Sequence, residues 1–178
     1  MQIENKQHRD LQMIVFQLGM EEYAVTITAV QEIIMPQQPT RIPKSPAFVD
    51  GIINLRGQII PIIDGRKKFN LLSDKELEED LITEDTRIML LEVIGDTIGL
   101  VVDKVSEVIH LNTANIEPPP VDICLEADYL YGIGKFESRL LILLKIENFL
   151  TITESIELKE VTNAKEVVND KMLAYSGE

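Results

Sequence analysis

Apolar and polar positions alternate with a period near two through most of this chain, in short runs set off by turn residues. Leu11–Leu18 places Met13, Ile14, Val15 and Phe16 beside Gln12 and Gln17 and reads as a strand. Gly19-Met20-Glu21 reads as a turn, and Glu22–Ile27 alternates Tyr23, Val25 and Ile27 with Glu22, Ala24 and Thr26. Val30–Met35 is a third short strand. Pro36, Pro39, Pro43 and Pro46 then predict an extended loop. Next come two β-branched runs, Gly51–Leu55 and Gln58–Ile63, joined by Arg56-Gly57. That spacing predicts a hairpin in which Gly57 takes positive φ and Arg56 is displayed at the tip. Pro61 inside the second run predicts an edge strand or a bulge, and Arg66–Phe69 a single helical turn.

Texture changes over 71–86, which holds seven acidic residues and is read as a solvated linker. Ser73 and Glu76 have capping-box spacing there. Beyond it the pattern returns. Tyr23–Ile34 lines up with Ile98–Ile109, 75 positions later, and the Leu18-Gly19 turn has its counterpart in Ile94-Gly95. Gly51-Ile52 matches Gly132-Ile133 at an offset of 81, and Ile59–Ile63 meets Leu140–Leu144 at the same offset. Two copies of a long period indicate an internal duplication rather than a solenoid. Each copy has about five short strands, too few for an open sheet covered on both faces, so closure into a small barrel is expected. A groove between two packed barrels is then the natural binding site. The last segment, 151–178, places Val161, Ala164, Val168 and Met172 at helical spacing and predicts an amphipathic helix.

A chain of 178 residues carrying 45% apolar and 26% charged residues is within reach of its own core. Its net charge of −13 lacks the basic face that nucleic acid requires. No apolar run approaches bilayer length, and the polar start Met1–Asp10 has no leader-like apolar stretch. The single cysteine, Cys124, allows no internal disulfide and fits a reducing, cytoplasmic setting.

Catalytic chemistry finds little to work with. His8 and His110 are isolated, Cys124 has no nucleophile signature, and no phosphate loop or nucleophile elbow occurs. No catalytic residue, metal ligand or cofactor is expected. Asp64 and Asp103 follow apolar runs and read as turn caps or ion-pair partners. Surface features on a rigid frame remain: the hairpin tip with Arg56, and Val30-Gln31-Glu32 and Val105-Ser106-Glu107-Val108, which occupy equivalent places in the two halves. Glu32 has an apolar flank, so a partner cation is expected to meet it.

These residues carry a resemblance. Phe16–Val25, Val30–Ile33, Pro46–Gly57, Pro61–Asp64 and Gly99–Val108 are similar to the chemotaxis coupling protein family CheW, over about 11–150. The resemblance implies a mainly β fold of two intertwined, SH3-like, five-stranded barrels, with halves near 11–70 and 87–150. A flexible 1–10, short helices and the C-terminal helix complete it. It implies a non-enzymatic adaptor that couples the cytoplasmic tips of transmembrane chemoreceptors to the regulatory domain of the histidine kinase CheA. Direct membrane insertion is not implied. An alternative from the same fold is a coupling or regulatory domain of a larger two-component signalling protein. Carried over by position, Val30, Gln31, Glu32, Gly51, Asn54, Leu55, Arg56, Gly57, Val105 and Val108 are the expected protein-binding residues. The sequence departs from the family at Gly65, where relatives usually show leucine, which bears on the turn after the hairpin.

Overall fold

The computed structural model describes residues 7–71, 82–120 and 128–150, together with 154, 157–160, 162 and 163. Eleven strands are described: β1 (Asp10–Leu18), β2 (Glu21–Thr26), β3 (Val30–Ile34), β4 (Val49–Leu55), β5 (Gln58–Asp64), β6 (Arg87–Val93), β7 (Asp96–Val102), β8 (Lys104–Asn112), β9 (Ile116–Glu117), β10 (Leu130–Phe136) and β11 (Arg139–Leu144). They form two sheets. One runs β3-β6-β7-β5-β4, the other β8-β1-β2-β11-β10-β9. The architecture is the mainly β, duplicated one expected. Each sheet takes strands from both sequence halves, and the second adds the two-residue β9 as a sixth strand.

The duplication holds at the level of single residue pairs. The parallel pairing of Ile62 with Gly99 recurs as Leu143 with Ala24, the same two positions after the offsets of 81 and 75. Thr40 bridges Ile52 in one half, and Glu117 pairs with Ile133 in the other. Gly51 and Gly132 exist for the same reason. A Cβ at Gly51, where φ is +144°, would overlap the carbonyl oxygen of Thr40, and one at Gly132 would stand 2.5 Å from that of Glu117.

Packing explains the continuous apolar runs. In β1, Met13 and Val15 join a small core with Ala24, Ile109, Leu111, Leu141 and Leu143, while Ile14, Phe16 and Leu18 point into a larger core. In β6, Ile88 and Leu90 join the other small core with Ile53, Ile60 and Ile62, while Met89, Leu91 and Val93 enter the same larger one. These strands are buried on both faces, and so carry no polar alternation. The larger core is shared by both sheets. Its rings form a chain: Phe16 on Tyr23 at 5.8 Å, Tyr23 on Phe69 at 5.5 Å, and Phe69 against Tyr129 and Phe149. Where the sequence placed a groove, the middle of the interface is filled by these side chains.

Phe69 closes the short helix α1 (Gly65–Lys68), whose N-cap is Asp64. Gly65 fits because a Cβ there would lie 2.8 Å from Leu18 and 2.9 Å from the Val101 carbonyl. The three cations of α1 tie the structure together. Arg66 meets Asp103, which also accepts from the Gly19 amide; Lys67 meets Asp50; Lys68 meets Glu154 and lies 4.8 Å from the Phe48 ring centre. Asp64 and Asp103 are thus the cap and ion-pair partner expected.

Several boundaries move. Arg9 and Asp10 are already anchored, to Thr113 and Asn112, so order begins before Leu11. Pro61 lies in an interior strand, not at an edge or bulge. It costs no rung there. The N–H and C=O of Ile52 opposite are both turned to Thr40, and pairing with β7 begins only at Ile62. Leu158, on the helical residues 157–160, is buried in the shared core. Ser73, Glu76, Val161, Ala164, Val168 and Met172 lie outside the described residues.

Gly132→Ala should lower the urea midpoint, by roughly 1–3 kcal/mol of stability, because the added methyl group overpacks a backbone contact. Gly51→Ala should cost at least as much. At Gly57 nothing lies within 4 Å of an added Cβ, so Gly57→Ala should cost only about 1 kcal/mol, for the left-handed backbone.

Candidate functional site

Gly57 has φ +85°, and Arg56 itself has φ +52°, so both turn residues lie in the left-handed region. Such a turn matches the twist of the flanking strands and holds the hairpin tight. The side chain of Asn54 reinforces it, its Oδ1 accepting from the Gly57 amide at 2.9 Å. Arg56 is therefore displayed from a stiff support, with 71% of its side chain exposed.

Its guanidinium is nevertheless engaged. Nη1 and Nη2 donate to the two carboxylate oxygens of Glu32 at 3.0 and 2.8 Å. The cation expected to meet Glu32 from a partner thus comes from the same chain. Glu32 lies on β3, one edge of its sheet, while Arg56 follows β4, the other edge. The sheet curls until this fork-to-fork pair spans the gap between its edges. The hydrogen bond from Arg56 holds the Glu32 carboxyl below the usual carboxylate range.

The second half repeats the device. Between Val30 and Glu32 the β3–β6 ladder shifts register, leaving Gln31 unpaired; between Val105 and Glu107 the β8–β1 ladder shifts likewise at Ser106. Glu107 is thus the counterpart of Glu32, and it too is met by an arginine from the far hairpin, Arg139 of β11, at 2.5 Å. Arg139 also reaches Glu22 of β2 at 3.0 Å. Sequence reasoning missed Arg139, because at the hairpin offset it aligns with Gln58 while Arg56 aligns with Glu137. The glutamate side of the clamp was visible in the repeat.

The other expected residues divide. Val30 packs against the margin of the shared core, and the Gln31 side chain accepts from the Thr97 hydroxyl at 3.0 Å. Leu55 packs on the small core of its own sheet, and Gly51 is buried against Thr40. Val105 and Val108 stand on β8, the edge of the other sheet, with Val105 against the shared core and Val108 50% exposed. On β3 and just beyond it, Ile33 and Met35 are exposed as well. The expected residues thus lie on three edge strands, β3, β4 and β8, and one hairpin tip, with Val30–Glu32 and Asn54–Gly57 joined by the ion pair. A cavity of about 610 Å³ opens beside this tip, between Gln58, Ile59 and Pro61 on one side, Ile94 and Thr97 on another, and the helical residues Leu158 and Lys159.

Among the described residues, no group of three or more histidine, cysteine or acidic side chains could hold a metal ion. His8 and His110 are exposed, and Cys124 lies outside the described residues. Among the described residues, no helix is long and apolar enough to cross a membrane.

The two duplicated sheets, with ion-paired edges and exposed apolar side chains, make a mainly β scaffold. The comparisons agree. A sequence model described as the CheW-like domain matches residues 12–154. Chemotaxis protein CheW of Klebsiella aerogenes is 40% identical over 144 residues, covering 80% of this chain and 83% of that protein. Chemotaxis protein CheW of Helicobacter pylori is 36% identical over 140 residues, covering 79% and 81%. The crystal structure of the scaffolding protein TtCheW from Thermoanaerobacter tengcongensis superposes with a TM-score of 0.71 at 34% identity, over 82% of this chain and 96% of that one. The chain belongs to the CheW-like domain family, whose members are non-enzymatic scaffolds of chemotaxis signalling.

A carboxyl whose folded-state pKa is lowered contributes stability above its unfolded pKa and loses it as pH falls through the folded one. For Glu32 that loss comes on the acid side of the ordinary glutamate range. A carboxyl-detected NMR titration should give Glu32 a lower midpoint in the native chain than in Arg56→Ala. Equal midpoints would show that the pair does not form in solution.

Proposed function

We propose that this chain is a cytoplasmic adaptor that couples the tips of transmembrane chemoreceptors to the histidine kinase CheA through that kinase's regulatory domain. The observation that carries the reading is the Arg56–Glu32 pair: an exposed guanidinium, pre-oriented on a stiff hairpin, beside exposed apolar side chains. The fork geometry matches a carboxylate, so an acidic side chain of receptor or kinase can share or take Arg56 from Glu32. Because the arginine is already ordered, little rotamer entropy is lost on docking.

Val30 and Ile33 on β3 supply an apolar margin for one face of a receptor helical hairpin, and Val105 and Val108 supply a second on β8. Gly51 acts through the backbone, letting the Thr40 segment approach β4 closely enough to support the hairpin. The same-fold domain of the kinase offers a second, sheet-bearing partner. Both contacts use surfaces that the folded core keeps fixed, and no group transfer is required of the chain itself.

Arg56→Ala should weaken binding of the chain to a receptor-tip fragment or to the kinase regulatory domain by about tenfold or more in calorimetry, with the fold retained by circular dichroism. Unchanged affinity for both partners would remove Arg56 from the recognition site.

A further inference from the structure

The two halves carry the same clamp with different charges around it. In the first, one carboxylate takes both terminal nitrogens of Arg56, and 71% of that side chain stays exposed. In the second, Arg139 gives Nη2 to Glu107 and Nη1 to Glu22, lies 5.5 Å from the Phe136 ring centre, and is only 32% exposed. In the sheet that carries Arg56, the position that matches Glu22 is Thr97 of β7, at the offset of 75. Thr97 is uncharged and spends its hydroxyl on Gln31. The sheet of Arg56 therefore has no carboxylate where the sheet of Arg139 has its extra one.

We propose that Glu22 makes the duplicated surface one-sided: it withdraws Arg139 from recognition and leaves Arg56 as the arginine that a partner's acidic group can take. The inference rests on the reading of Arg56 as a recognition group. Its physical basis is the number of charge-assisted bonds that must be given up. Arg56 can turn to a new carboxylate while keeping one oxygen of Glu32, and the carboxylate it leaves is 37% exposed and readily hydrated. Arg139 is stretched between two strands, β2 and β8. Turning outward would strip Glu22, whose side chain is only 20% exposed, of its cation. An acceptor left partly buried without a partner carries its full desolvation penalty. Glu107 and Glu22 together thus make Arg139 a strut, while the same arginine–glutamate device in the other half remains exchangeable.

Arginine-directed labelling with phenylglyoxal, mapped by mass spectrometry on the full chain, tests this. Arg56 should react several-fold faster than Arg139 in the native protein, and Glu22→Thr should bring Arg139 to within about twofold of Arg56 without changing the rate at Arg56. Glu22→Gln keeps the side-chain shape and should act in the same direction, which covers the case in which the threonine variant does not fold. Equal native rates for the two arginines, or a slow Arg139 in both folded variants, would overturn the assignment to Glu22. Repeating the labelling with saturating receptor-tip fragment or kinase regulatory domain should protect Arg56. Loss of that protection, with the contrast between the arginines intact, would instead overturn the recognition reading on which the inference stands.

Discussion

Burial of β1 and β6 on both faces is the constraint from which the rest follows. Each strand closes a small core on one side and enters the shared core on the other. A single sheet of five or six short strands buries little surface on its own. Here two such sheets pool a third core, with Phe16, Met89, Leu91, Leu100 and Phe149 all essentially excluded from solvent. The strand exchange makes that pooling obligatory. β1 and β2 complete the sheet of the second half, and β6 and β7 complete that of the first. Separating the halves would open backbone ladders as well as an apolar interface.

An adaptor gains from this arrangement. An edge strand has ladder partners on one side only, so contacts that fix the edge also fix the side chains it displays. In one sheet Arg56 bridges to the edge strand β3, in the other Arg139 ties β11 to β2 and to the edge strand β8, and α1 sends cations to three separate places, Asp103, Asp50 and Glu154. The display of Arg56 is therefore set by the folded core below it and by Glu32 beside it, not by the arginine alone.

The hairpin, the strands and the duplication were legible in the sequence, because each depends on local spacing. Asn54 and Gly57 identify a tight turn, and a fixed offset brings Glu32 and Glu107 to the same place. Which strand pairs with which was not legible. A period of two reports that a residue is buried and says nothing of the strand or sheet that buries it. The unbroken runs Met13–Phe16 and Ile88–Leu91 did hold a clue, since a strand without polar alternation is covered on both faces. Pro61 misled for a related reason. Its missing donor matters only where a partner expects one, and the turning of Ile52 toward Thr40 is a tertiary fact.

Divergence between the two copies is concentrated in charge rather than in the core. Met13, Val15, Leu141 and Leu143 have apolar counterparts in Ile88, Leu90, Ile60 and Ile62, and even the glycines that admit a close backbone neighbour are kept in register. Around the clamps, by contrast, Glu22 stands against Thr97 and Arg139 against Gln58. Packing constrains the core positions through volume, where a single methylene is felt. Exposed charge is constrained mainly by what it meets. A duplicated scaffold can therefore change the use of one surface while conserving its architecture, and a change of one or two side chains separates an arginine held as a strut from one held ready for exchange.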